Sequence, residues 1–199
     1  PEERTLAHRL IEEFMLVANE TVAAELNGRD IPTLYRVHEE PDALKVEEFE
    51  GFVTSLGYSL AAGSGSVTPG HFQRLLDRVE SQPEQRPITS LMSRAMQQAR
   101  YDPVNKGHFG LASPFYAHFT SPIRRYPDLL VHRAIRSLIR SHKGVHVQKH
   151  EAAVRCSKDR IYPYNKEDMV KFGESCSAAE RRADAASYSV IDWLKCEYM

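Results

Sequence analysis

Between His108 and Arg133 the chain reads HFGLASPFYAHFTSPIRRYPDLLVHR, and this stretch holds the residues best suited to chemistry. Thr120, Ser121, Arg124 and Arg125 stand just before a segment that opens with Pro127 and Asp128 and reads as a helix. Short hydroxyls, backbone N–H groups at a helix N-terminus and a guanidinium fork together make an anion site, with phosphate the best-fitting guest. Four aromatics precede them: Phe109, Phe115, Tyr116 and Phe119. Aromatic faces beside a phosphate grip suit nucleic acid, and single strands in particular, because an unpaired base has a face to stack. Pro122 fixes its own backbone angle and restricts Ser121 to extended geometry, while Pro127 suits a first helical turn. The connector from Pro122 to Tyr126 is therefore expected to be rigid. Arg124 and Arg125 are neighbours and cannot both point the same way in regular structure. One can face a substrate while the other faces solvent or a structural carboxylate, for which Asp128 is the local partner. The competing reading is a loop salt bridge with no ligand.

Two other constellations need positioning by helices. Glu12, Met15 or Leu16, and Asn19 share one helical face, so Glu12 and Asn19 could hydrogen-bond a base or ribose edge. The alternative is a solvated helix face. Near the C-terminus, Gly173, Cys176, Ser177, Glu180, Ala183, Asp184 and Ser187 form one broad stripe. Its small residues permit close approach of another helix or leave space for a ligand, and Glu180 within it needs a partner if buried. The nine histidines suggest metal binding, but no H-E-x-x-H motif or Cys/His cluster with zinc spacing occurs. His108, His118 and His132 fit no ligand pattern, and no metal site is expected in this chain. No P-loop and no G-x-S-x-G is present.

The elements that would carry these residues are mostly helices. Leu6, Leu10, Phe14, Val17, Ala18 and Val22 recur at helical spacing and predict a helix over Thr5–Asn27, stopped by Asn27-Gly28. A short strand is expected over Thr33–Val37, a helix over Leu44–Leu56, and a flexible loop over residues 61–66. Thr68-Pro69-Gly70 caps a helix over His71–Val79. Another helix is expected over Ile88–Arg100, with Pro87 near its start and Asp102-Pro103 breaking it. Strand and loop suit His108–Phe119. A helix follows over Pro127–Ser141 with Leu130, Val131, Ala134, Ile135 and Leu138 inward. The stretch from His142 to Tyr164 is less regular, and a last helix spans Asn165–Tyr198 with Glu167 as an early anion at its N-terminus.

Composition limits the choices. The chain has 199 residues, 42% apolar and 27% charged, which is the profile of a soluble globular fold. The 26 basic and 27 acidic residues give a net charge of −1, so nucleic-acid binding must rest on a local patch. That balance disfavours a simple sequence-independent coat protein and suits an enzyme with a lined cleft. No apolar run is long enough to span a membrane, and PEERTLAHR has no signal-peptide core. The first residue is Pro rather than Met, so a segment of a longer protein is expected. Three cysteines, Cys156, Cys176 and Cys196, give an odd count that argues for reduced thiols in a cytoplasmic protein.

Taken together, these stretches resemble the exoribonuclease II (RNB) family. HFGLASPFYAHFTSPIRRYPDLLVHR resembles the family's hallmark segment. EEFMLVANETVA (residues 12–23) resembles the helix that follows its catalytic core, and CSAAERRADAASYSVIDWLKCEYM (residues 176–199) resembles its closing helix. YRVHEEP and YDPVNKGHFGLA match more weakly, and the resemblance covers essentially the whole chain. It implies an α+β, mostly helical fold with a few short strands: residues 1–199 as the C-terminal portion of an RNB catalytic domain. It also implies a processive, metal-dependent enzyme that degrades single-stranded RNA from the 3′ end to nucleoside monophosphates, with no DNA or membrane partner. By this resemblance Arg124 matches the arginine that stabilises charge at the scissile phosphate. Glu12 and Glu180 match carboxylates near the bound RNA end. Tyr116, Thr120 and Ser121 fall in the substrate-contact segment, and Asn19, His108 and Arg125 are counted with them as RNA-binding candidates. The family's aspartate-rich motif, which holds Mg2+, has no counterpart here, nor do the flanking OB-type domains. The isolated segment is therefore expected to be inactive. A degenerate RNB-like module that binds RNA or a partner without cleaving is the competing class; coincidental motifs in a helical interaction domain are a remote third.

Overall fold

Thr5 starts the first helix by accepting the N–H of His8 at 3.4 Å, and His8 Nδ1 accepts the Thr5 N–H in return at 3.3 Å. The computed structural model describes residues 5–60, 67–141 and 157–199; the loop expected at 61–66 and most of the less regular stretch after His142 lie outside them. The chain divides into two compact units.

The first unit comprises Pro1–Arg36, Arg100–Asn105 and Phe115–Met199. It contains α1 (Leu6–Gly28), β1 (Tyr35–Val37, whose last residue falls in the other unit), β2 (Arg100–Asp102), α5 (Tyr126–Ser141), α6 (Lys158–Ile161) and α7 (Lys166–Tyr198). β1 and β2 form a two-stranded sheet. Leu34, Tyr101, Leu130 and Met169 make the core, flanked by Tyr162, Tyr164, Phe172 and Cys176. The apolar stripe of α1 does not lie in it: Leu6, Leu10, Phe14 and Val17 are exposed, and the helix is anchored by Asn19, Ala23 and Leu26. Hydrophobic spacing identifies a helix without saying which side meets the core. On α5, Leu130, Val131 and Ala134 are buried, with Ile135 and Leu138 half-buried. The N-terminus of α7 is closed reciprocally by Asn165 and Asp168, each side chain accepting the other's backbone N–H at 2.9 and 3.0 Å.

The small-residue stripe of α7 receives a strand, where a helix or a ligand was expected. A Cβ added at Gly173 would stand 2.9 Å from the Tyr101 carbonyl oxygen and 3.3 Å from Leu34 Cδ2. One turn on, Ser177 Oγ accepts the Tyr101 N–H at 3.0 Å. Gly173→Ala is therefore expected to push β2 off the helix and to lower unfolding free energy by about 1–3 kcal/mol, the usual range for overpacking. Chemical denaturation measures it, and an unchanged midpoint would mean that the strand moves away without cost.

The second unit comprises Val37–Ala99 and Lys106–Pro114. It packs α2 (Ala43–Ser55), α3 (Pro69–Val79), α4 (Gln85–Ala95) and a 3₁₀ turn at Phe109–Leu111 around Phe49, Val53, Leu60, Phe72, Leu75, Val79 and Ile88. The helix expected to reach Arg100 ends at Ala95, and Met96 is already extended. Arg100, Tyr101 and Asp102 are strand, so Asp102-Pro103 closes β2 and breaks no helix. Strand pairing and the burial of Tyr101 outweigh the local helix preference of Met96–Arg100. His108–Phe119 carries no named strand; it is the 3₁₀ turn, loop and isolated bridges from His108 to His38 and Ser113. Among the described residues no helix is long and apolar enough to cross a membrane.

Candidate functional site

Asp128 organises the segment that carries the chemistry. It sits at the start of α5 and is fully buried. Its Oδ1 accepts the Ser121 N–H at 2.7 Å and Arg125 Nη2 at 2.8 Å, while its Oδ2 accepts Arg125 Nε at 2.8 Å. This is a two-pronged guanidinium–carboxylate pair with a backbone donor added, the geometry in which such bonds are strongest. The Ser121 carbonyl accepts the N–H groups of both Arg124 and Arg125, at 3.3 and 3.1 Å, closing the turn between Pro122 and Tyr126. The rigid connector expected from the two prolines is thus held at both ends by Ser121 and Asp128.

The two arginines separate as neighbours must. Arg125 is half-buried and directed to Asp128, so the arginine counted among the RNA contacts holds the loop instead. Arg124 is exposed and makes no ion pair among the described residues. Its guanidinium is the one the loop presents outward. Beside it, Thr120 Oγ1 is buried with no hydrogen-bond partner among the described residues. Ser121 acts through its backbone.

The approach to this loop is clamped from α1. Asn19 is 3% exposed; its Nδ2 donates to Tyr116 Oη at 3.0 Å and its Oδ1 accepts the Phe119 N–H at 3.0 Å. Asn19 was expected on an outward face with Glu12. Instead, its amide is used inside the fold, whereas Glu12, two turns earlier, is exposed. Tyr116 is buried, with its ring against other side chains rather than open for stacking on a base. His132 on α5 supports Phe119 by stacking at 4.3 Å and 18°, and its Nε2 donates to the Phe119 carbonyl at 2.9 Å.

Glu180 on α7 is half-buried, and its Oε2 accepts Arg36 Nη1 at 2.6 Å. The sequence reading did not single out Arg36 or Tyr101. Burial pushes the Tyr101 hydroxyl up to about 12 although the Arg36 guanidinium opposes this, so at neutral pH it keeps its proton and can donate to His118 Nδ1, 2.9 Å away. His108 belongs to the second unit. Its ring meets His38 edge-on at 5.1 Å, and the N–H of Gly110 donates to His38 Nδ1 at 2.9 Å. The fold therefore brings Asn19, Tyr116, Thr120, Ser121, Arg124 and Arg125 together around one loop, reaches Glu180 through Arg36, and puts His108 in a separate unit. Among the described residues no group of three or more His, Cys, Asp or Glu side chains could hold a metal ion. The residues present do not fit the magnesium that the family resemblance implies.

Comparison with known proteins adds an independent view. The RNB domain model matches residues 1–141. Ribonuclease R of Escherichia coli is 42% identical over 197 residues, which is 99% of this chain and 23% of that protein. The chain thus spans about a quarter of the length of the curated relatives it matches. Among solved structures, Mycoplasma genitalium RNase R in complex with double-stranded RNA is similar with a TM-score of 0.78 at 27% identity, covering 98% of this chain and 32% of the other. The same protein with ribose-methylated single-stranded RNA gives a TM-score of 0.75 at 28% identity, covering 93% and 27%.

Proposed function

This chain belongs to the RNB family, and on that footing we propose that it is the RNA-clamping part of an exoribonuclease that degrades single-stranded RNA processively from the 3′ end. The observation that carries the reading is the Asp128 latch, which fixes Arg125 and leaves Arg124 presented on a rigid turn. Cleavage of a phosphodiester develops negative charge on the nonbridging oxygens. A guanidinium held in place beforehand meets that charge without having to reorganise at the moment of reaction. Thr120, Ser121 and the end of the Tyr116–Phe119 segment precede that arginine on the same loop and are assigned to the same backbone groups of the RNA. Glu12 and Glu180 are assigned to the sugar of the terminal nucleotide, where a carboxylate can accept a ribose 2′-OH that DNA lacks. RNA is a ligand captured with the Mycoplasma protein, and we take single-stranded RNA, and neither DNA nor membrane, as the partner here, with the cytoplasm as the place of action.

When bound, magnesium would supply an activated water and a charge clamp. Its ligands are assigned to carboxylates in another part of the full-length protein.

The test compares a full-length protein carrying this segment with the segment alone, each given magnesium and 5′-labelled single-stranded RNA or its all-deoxy counterpart. The full-length protein is expected to shorten the RNA stepwise, release nucleoside monophosphates and spare the deoxy strand; the segment alone should release none. Steady mononucleotide release by the segment would refute the division of labour. RNA binding without cleavage by the full-length protein would favour the degenerate, non-catalytic reading.

A further inference from the structure

Arg36 lies 80 positions before Tyr116, yet its backbone N–H and its guanidinium are both committed to residues in or around the Tyr116–Arg125 segment. Its backbone N–H donates to the Tyr116 carbonyl at 2.9 Å. Its Nη1 donates to Glu180 Oε2 at 2.6 Å. Its guanidinium carbon lies over the Tyr101 ring, 4.8 Å from the centroid. The arginine side chain is only 15% exposed, against 35% for Glu180, so this is no loose surface pair. A lysine could supply the charge but not a flat group that stacks on a ring while donating along its edge.

The partners matter as much as the bonds. Tyr116 is the residue whose hydroxyl Asn19 holds, and three residues later Asn19 also receives the Phe119 N–H. The entry to the loop is thus gripped from α1 by Asn19 and from β1 by Arg36, as its exit is gripped by Asp128. Tyr101 joins the two sides, with its hydroxyl at His118 and its N–H at Ser177 of α7. We infer that the Arg36 side chain is a positioning group for the Tyr116–Arg125 segment, acting through Glu180 and the Tyr101 ring without touching RNA, while its backbone bond to the Tyr116 carbonyl is one that every variant below keeps. The kinetic arm of its test rests on the exoribonuclease reading; the structural arm does not.

The experiment uses the full-length protein with Arg36→Ala, Arg36→Lys and the exchange Arg36→Glu/Glu180→Arg. Backbone hydrogen exchange is read at Phe119 and Ser121, and kcat and KM are measured on single-stranded RNA. Arg36→Ala is expected to speed exchange at those two amides by about tenfold or more, with α2–α4 unchanged. It should lower kcat per folded molecule about tenfold while KM stays within about threefold, because a displaced guanidinium is felt in the transition state. Arg36→Lys should fall between wild type and Arg36→Ala in both readouts, which keeps the test decisive if the alanine variant folds poorly. The exchanged pair should recover part of the protection from hydrogen exchange and none of the kcat, because Glu180 is assigned to the RNA sugar. Unchanged exchange in the segment, or unchanged kcat per folded molecule in an active enzyme, would overturn the inference. So would a rise in KM alone, which would make Arg36 an RNA contact. If the wild-type protein cleaves no RNA, the exoribonuclease reading fails by itself. The exchange measurement then decides alone: a local rise supports the positioning role, and none overturns it.

Discussion

Arg124→Ala in the full-length protein is expected to lower kcat on single-stranded RNA by about 10²–10³-fold, the usual effect of removing one preorganised group from a developing oxyanion. The expectation follows from exposure and framing together. Arg124 is presented outward and makes no ion pair among the described residues, while its backbone N–H is tied to the Ser121 carbonyl at 3.3 Å. On the proposed role, such a group adds more to the transition state than to the ground-state complex. KM should therefore change much less than kcat, the pattern of an interaction made mainly in the transition state. Arg124→Lys should recover only part of the rate, since an ammonium cannot offer two parallel donors to one phosphate. Steady-state kinetics on an unstructured oligomer measure both parameters. Equal losses in affinity and rate would reassign Arg124 to plain phosphate positioning.

The second large effect concerns Asp128. Asp128→Ala removes a fully buried carboxylate and strands the Ser121 N–H together with two donors of Arg125. Breaking a buried charge pair from one side typically costs about 3–5 kcal/mol, because the remaining charge keeps its desolvation without its partner. The side chain of Arg125 is 19% exposed and can recover some water, so the lower end, about 3 kcal/mol, is expected. For a chain of this size that is a fall in melting temperature of roughly 6–12 °C. Asp128→Asn should cost less, since its carbonyl can still accept one donor while its amide group faces a guanidinium with nothing to offer it. Activity should fall with both variants although Asp128 faces no substrate, because the turn that aims Arg124 loses its anchor. Thermal denaturation of this chain, beside kcat per folded molecule of the full-length protein, separates the two effects. A melting temperature unmoved by Asp128→Ala would show that the latch carries no stability.

The sequence exposed the local parts of this design and hid the distant ones. Pro122, Pro127 and the adjacent arginines announce a stiff turn because proline geometry and the divergence of neighbouring side chains are local facts. The same reading offered Asp128 as a partner for one arginine, and the fold decides which. Arg36 was invisible as a functional residue because Glu180 stands 144 positions away, and no periodicity links a strand to a helix at that distance. Asn19 was misplaced for a related reason. Its spacing from Glu12 shows a shared helical stripe, but only the packing of α1 tells that the core begins at Asn19 and not at Leu6. The stripe around Gly173 was legible as a place for close approach, yet only the strand at Tyr101 identifies what approaches. That strand was not foreseen, and its first residue, Arg100, was read as the end of a helix, since its ladder partner lies in β1 and not in its own neighbourhood. The family assignment was readable because several motifs recur in order along the chain, and the RNB match over residues 1–141 agrees with it.

The central claim is that the Tyr116–Arg125 segment receives the 3′ end of an RNA strand. Photo-crosslinking tests it most directly, using the full-length protein, a single-stranded RNA with 4-thiouridine at its 3′ terminus, and a chelator to prevent cleavage. Crosslinked peptides are expected to map to Tyr116–Arg125, with Arg124→Ala retaining most of the yield. Crosslinks confined to α2–α4, or an RNA end that labels no residue of this segment, would contradict the account.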